Sequence, residues 1–143
     1  MSAVARIQAL LGGEANTGPL HSERDVMRLV RRGLPTRAVD HFLDAARLSF
    51  NALDPQILNR RTFKRRQDQA QPLDPAESDR IVRMVAVVAA AEETFGDPDK
   101  AHLWLHRANR ALDGETPLAM TDTDQGARAV EALLGRIAHG IAA

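Results

Sequence analysis

An all-α fold follows from three observations on this sequence. Apolar residues recur at helical spacing in one segment after another, no stretch alternates apolar and polar residues as a strand does, and the segments open on helix caps such as Asp74-Pro75 and Asp97-Pro98. A chain of 143 residues is long enough to bury an ordinary core, as one domain or as two small helical ones sharing it.

The elements follow in order. Residues 1–21 offer a short helix over Val4, Ile7, Leu10 and Leu11, then Gly12-Gly13 and a polar run to Pro19 that reads as a linker, so a flexible, loosely held arm is expected. Ser22 caps a first amphipathic helix with Glu23 and Asp25 at its positive end, Val26, Leu29 and Val30 as its apolar stripe, and Gly33 as its stop. Thr36 is expected to cap a second, with Val39, Phe42, Leu43 and Ala46 on one face. From Ser49 to Gln69 the pattern predicts two short helices joined by a tight turn, the second capped by Asn59. Asp74-Pro75-Ala76-Glu77 then starts a helix apolar nearly all round, from Ile81 to Ala91, that must be buried on most sides, centrally or between subunits. Asp97-Pro98 starts the next, carrying Leu103, Trp104 and Leu105. A loop follows over 108–115, a helical turn at Thr116-Pro117, and a last helix capped by Thr123 and ended by Gly140, with Ala127, Val130, Leu133, Leu134 and Ile137 at helical spacing.

Charge divides the chain. The formal net charge is zero, yet residues 1–70 hold 12 Lys and Arg against 7 Asp and Glu, a balance of +5, and residues 71–143 hold 7 against 12, a balance of −5. Five cations, Arg60, Arg61, Lys64, Arg65 and Arg66, fall within seven residues. The first half suits a polyanion and the second repels one. On a helix, Arg60, Arg61, Lys64 and Arg65 occupy an arc of about 140° while Phe63 points away from it. A basic helix behind a short helix and a turn is how helix-turn-helix proteins meet phosphates and base edges, so Asn59, Arg60, Arg61, Thr62, Lys64, Arg65 and Arg66 form the candidate DNA surface. The plainer reading of such a cluster is a solvated charged face.

Other chemistry is thin. Without cysteine there is no disulfide, thiolate metal site or cysteine nucleophile, which fits a reducing cytoplasm. No signal peptide is read at the start, and the apolar run from Met84 to Ala91 is far short of the ~20 residues that cross a bilayer. His102 and His106 have the spacing of two ligands on one helix, but no obvious third accompanies them, and no nucleophile, base and orienting group come together. No enzyme and no cofactor are expected; a metal-dependent enzyme built on the two histidines is the alternative from another class.

The second half resembles the toxin-binding domain of the Xre/MbcA/ParS antitoxins, on the motifs Ala101-His-Leu-Trp104-Leu105, Asn109-Arg-Ala-Leu112-Asp-Gly114-Glu-Thr116-Pro117-Leu118, Thr123-Asp-Gln-Gly126 and Val130-Glu-Ala-Leu133-Leu134-Gly135-Arg136-Ile137-Ala-His139-Gly140. Upstream, Arg61 to Arg66 with Leu73 and Glu77-Ser78-Asp79-Arg80 looks like that family's Xre-like helix-turn-helix and its junction. Asp113 and Ala108 depart from the family's usual Gly and Pro. Asp54-Pro55 falls where the first helix of the DNA-binding pair would run, so that helix must be broken or begin there.

The resemblance covers about residues 22–142 and implies an Xre-like helix-turn-helix domain over 22–72 and a toxin-binding domain over 73–143, sharing the central apolar helix, behind the arm read over 1–21. It implies a bacterial, cytoplasmic type II antitoxin that covers the active site of a NAD-degrading RES-domain toxin and represses its own operon. The toxin-binding residues it suggests are Trp104, Leu105, Asn109, Leu112, Pro117 and Leu118, which shape the domain, with Arg136, His139, Gly140 and Ile141 meeting the toxin. A stand-alone regulator with a dimerisation domain is the alternative. A homodimer or higher homo-oligomer is expected from the over-apolar helix and from the paired half-sites that helix-turn-helix proteins read.

Overall fold

The computed structural model of the chain describes residues 1–140, and among them every regular element is helical. In order these are α1 (Ala3–Leu10), α2 (Glu14–Thr17), α3 (Glu23–Arg32), α4 (Thr36–Ala45), a 3-10 turn (Phe50–Ala52), α5 (Arg60–Asp68), α6 (Pro75–Phe95), α7 (Pro98–Leu105), 3-10 turns at Arg110–Leu112 and Ala119–Asp122, and α8 (Asp124–Ala138).

The central member is α6. Asp74 accepts a hydrogen bond from the Glu77 N–H at 2.7 Å, Glu77 returns one from the Asp74 N–H at 2.8 Å, and Pro75 occupies the first turn, so this end is fully capped. Its far end closes on Gly96 in the left-handed conformation. Between them Ile81, Val82, Met84, Val85, Val87, Val88, Ala89 and Ala91 are buried. Helices α1, α3, α7 and α8 pack around α6. The chain thus covers its most apolar helix by itself, and the inference of a subunit interface from that helix's composition loses its ground.

The N-terminal segment departs from expectation. Ile7, Leu10, Leu11 and Leu20 are all buried, with α1 against α6 and α2 against α4. The Gln8 side chain donates to the Thr17 hydroxyl at 3.1 Å and to the Gly18 carbonyl at 2.9 Å, and Arg37 donates to Asn16 at 2.7 Å. Residues 1–21 are therefore part of the packed core rather than a loosely held arm. The apolar stripe of α1 was visible in the sequence; the face of α6 that it covers was not.

Helix α3 ends at Gly33, whose φ of +96° suits glycine, and whose position admits no side chain because a Cβ would overlap the Leu73 carbonyl. The buried Ser78 hydroxyl accepts the Leu34 N–H at 2.9 Å, and Leu73 N–H donates to the Leu34 carbonyl at 2.9 Å. These bonds fix the α3–α4 turn on the start of α6. Pro35, not Thr36, holds the cap position of α4, and Thr36 is its first residue.

Candidate functional site: a basic helix and an exposed helical end

The first helix of the expected pair does not form. Residues 50–58 make one 3-10 turn and then irregular turns, because Pro55 has no N–H to give a helix interior. Helix α5 is positioned by other means. Asn59 accepts hydrogen bonds from the N–H groups of Arg61 (2.9 Å) and Thr62 (3.2 Å), and the Asp54 carboxylate accepts that of Arg60 at 3.0 Å. Phe63 is buried and its ring lies 5.1 Å from that of Phe50. Arg80 of α6 donates to the Ile57 carbonyl at 2.8 Å, holding the irregular segment from below.

The seven candidate DNA residues separate into three groups. Asn59 is the cap. Arg60 and Arg66 are committed to the fold: Arg60 donates to Asn51 at 2.7 Å with its guanidinium 4.9 Å from the Phe50 ring centroid, and Arg66 meets Glu77 at 3.1 Å and Asp74 at 3.5 Å. Two carboxylates meet the charge of Arg66, whose side chain is 20% exposed, whereas Arg60 stays exposed and bonds only a neutral amide, so its charge is not neutralised. Arg66 follows Phe63 by three residues and so lies toward the packed face of the helix. The remaining group faces water: Arg61 and Arg65 are exposed and make no ion pair among the described residues, and Lys64 shares only an exposed i,i+4 pair with Asp68 at 2.9 Å. Half-buried Thr62 stands between them. Asp54, Asn59, Arg60, Arg61, Lys64 and Arg65 line a groove of about 830 Å³. Sequence reasoning missed Asn51 and the role of Asp54 in aiming α5; no local pattern announces either.

The second candidate set divides as well. Leu105, Leu112, Pro117 and Leu118 are buried, so they build the domain and are not presented to a partner. Trp104 is half-buried, 5.6 Å from the Phe95 ring, and Asn109 caps the 3-10 turn that follows by accepting the Ala111 N–H at 2.9 Å. Thr123 caps α8 through the Gly126 N–H at 3.0 Å. At the other end of α8, Arg136, His139 and Gly140 are all exposed, while Ile141 lies outside the described residues. His102 and His106 stack with ring centroids 4.2 Å apart, their Nδ1 atoms against the Ala46 and His102 carbonyls, and no cluster of three or more metal-ligating side chains occurs among the described residues. No helix there is long and apolar enough to cross a membrane.

A capped basic helix tied to the central helix, followed by a second small helical unit on that same helix, defines an all-helical protein with a cationic surface and an appended unit. The comparisons agree with that class. Residues 25–86 match the antitoxin Xre-like helix-turn-helix domain, and residues 90–140 match the antitoxin Xre/MbcA/ParS C-terminal toxin-binding domain, so the matches meet within α6. Antitoxin Xre of Photorhabdus laumondii is 35% identical over 125 residues, covering 86% of this chain and 84% of the relative. Antitoxin Xre of Pseudomonas putida is 42% identical over 85 residues, and that of Yersinia enterocolitica 37% over 82. Those two alignments cover 59% and 57% of this chain and about half of each relative, 54% and 55%. The chain belongs to the Xre/MbcA/ParS antitoxin family.

Proposed function

We propose that this chain is a cytoplasmic antitoxin that neutralises a RES-domain, NAD-degrading toxin and represses its own operon. The observation that carries the reading is the union, on one central helix, of a basic helix exposing Arg61 and Arg65 with a matched toxin-binding domain whose last helix ends in exposed Arg136 and His139. The division at residues 22–72 and 73–143 belongs to the same proposal, with α6 carrying both units.

Each half has a physical task. Arg61, Lys64 and Arg65 neutralise phosphates along a duplex, and Thr62 reaches a phosphate or base edge. Two copies bind as a homodimer on paired half-sites, the usual arrangement for this class. At the opposite task, Arg136, His139, Gly140 and Ile141 enter the toxin's NAD site, where a guanidinium competes well for a pocket built to hold phosphates. No catalytic group or cofactor of the antitoxin is involved.

The test is co-expression with a RES-domain toxin, reading cellular NAD and growth. Intact antitoxin should restore both, and a chain lacking residues 136–143 should restore neither. Rescue by the truncated chain would reject the role given to the end of α8. Light scattering on the free protein reads the dimer, and a promoter fragment in a gel-shift assay reads the repressor.

A further inference from the structure

Helix α3 carries a second concentration of positive charge that the reading above does not use. At about 100° per residue, Arg24, Arg28 and Arg31 lie within an arc of about 60° and extend over about 10 Å of helix. All three are exposed, and Met27, 41% exposed, shares their face. Val26, Leu29 and Val30 pack on the opposite side. The arginine face is therefore not needed to hold the helix on the core.

It is also unfavourable for the isolated chain. Three i,i+4 pairs elsewhere are of opposite sign, Lys64 with Asp68 at 2.9 Å, Arg83 with Asp79 at 2.9 Å and Arg128 with Asp124 at 2.7 Å, while Arg61 with Arg65 in α5 and Asp40 with Asp44 in α4 are of like sign. In α3 the i,i+4 pairs are Arg24–Arg28 and Arg28–Arg32, which repel. Arg31 and Arg32 sit in the last turn and suit the helix dipole, but Arg24 sits in the first turn, against it. Among the described residues Arg28 forms an ion pair with Asp25 at 3.4 Å, and Arg24 and Arg31 form none. The arginine row of α3 thus shares with the Arg61–Arg65 face of α5 an uncompensated positive charge, which a dense row of negative charge would neutralise.

We propose that Arg24, Arg28 and Arg31 form a second phosphate-binding strip that engages the backbone of the same DNA duplex as α5. This rests on the DNA-binding reading of α5 and extends it. The end of α3 abuts the chain leaving α5, through Gly33 against Pro72 and Leu73 and the Leu73–Leu34 hydrogen bond, so both basic elements are held by one packed unit. Arginine suits the task because its planar, weakly hydrated guanidinium pairs with phosphate oxygens two at a time. Contacts of this kind to phosphate oxygens position a duplex without reading its sequence.

The experiment measures binding of the full chain to its promoter duplex and to an unrelated duplex, as log K against log salt concentration. It compares wild type, Arg24→Gln/Arg28→Gln/Arg31→Gln, Arg24→Lys/Arg28→Lys/Arg31→Lys, and the α5 variant Arg61→Gln/Arg65→Gln. Each lost phosphate contact makes the slope shallower by about 0.9. The glutamine triple should lower the slope by about 2 to 3 and weaken both duplexes alike, with thermal midpoint unchanged or raised, and the lysine triple should keep the slope of wild type. A glutamine triple with the wild-type slope overturns the proposal while the α5 variant still tests the reading beneath it. Loss of toxin co-purification with an unchanged slope also overturns it, assigning the strip to a protein partner. Wild type that binds neither duplex removes both readings.

Discussion

The guanidinium of Arg66 lies 3.1 Å from the carboxylate of Glu77, a residue only 7% exposed at the capped start of α6. That carboxylate also accepts the Asp74 N–H, so one buried group ties the basic helix, the chain after it and the central helix together. The consequence runs from electrostatics to function: the direction in which α5 presents Arg61 and Arg65 is set by a contact that uses up one of its own cations.

Arg66→Ala should therefore destabilise the fold, because it leaves Glu77 charged and unpaired in a buried place. Breaking a fully buried pair costs about 3–5 kcal/mol; with Arg66 about one-fifth exposed, about 2–3 kcal/mol is expected. Urea denaturation followed by circular dichroism measures it. A loss below about 0.5 kcal/mol would show the pair to be no more than a surface contact.

Arg61→Ala and Arg65→Ala should do the opposite. Both side chains are exposed and form no ion pair among the described residues, so stability should move by less than about 0.5 kcal/mol. DNA affinity at low salt should fall, and the slope against salt should become shallower by about 0.9 for each. Fluorescence anisotropy with a labelled duplex gives both quantities.

Arg60 and Asn51 should prove coupled. Their 2.7 Å hydrogen bond, with the guanidinium over Phe50, replaces the missing first helix as the support for α5. Arg60→Ala, Asn51→Ala and the double variant form a cycle whose interaction energy should be about 1 kcal/mol. An interaction near zero would show that Asn51 does not hold Arg60 in place.

What was legible in the sequence was mostly local. Ser22, Asn59, Asp74, Asp97 and Thr123 all cap helices as their residue types predict, because a cap is decided within three or four residues. The buried side of α5 was half legible: Phe63 was placed inward, and its spacing to Arg66 carried the same information unread. The covering of α6 by α1 and the hold of Asn51 on Arg60 depend on partners brought together by the fold, across many residues or across an irregular turn, and no periodicity encodes them. The composition of α6 showed that it must be buried without showing by what, which is why a second subunit was inferred where the chain itself supplies the cover.

Gly126→Ala should be among the more damaging small substitutions in the second half. Gly126 is in the first turn of α8, and an added Cβ would overlap the Met120 carbonyl oxygen and crowd the Thr123 hydroxyl that caps the helix. Backbone cannot yield as a flexible side chain does, so a loss of about 1–3 kcal/mol is expected even though alanine is the better helix former. Thermal denaturation compares it with Gly135→Ala, where a Cβ meets open space and a small gain is expected.

Glu92 gives the fold a dependence on pH. Burial beside α1 and α7 raises its carboxyl above the ordinary range for glutamate, only partly offset by the Arg6 and Arg47 guanidiniums. The sign follows from proton binding: the folded chain keeps this proton to higher pH than the unfolded chain, so its contribution is greatest below the ordinary glutamate range and is lost as pH rises through the raised value. Glu92→Gln keeps the shape and removes the titration. Its melting temperature relative to wild type should therefore be higher at pH 7 than at pH 4, because only at pH 7 does wild type bear the cost of a charged, half-buried carboxylate. Scanning calorimetry at the two pH values decides it. A variant that loses more stability at pH 7 than at pH 4 would mean that attraction to Arg6 and Arg47 outweighs burial, and that Glu92 is a true ion-pair partner of α1.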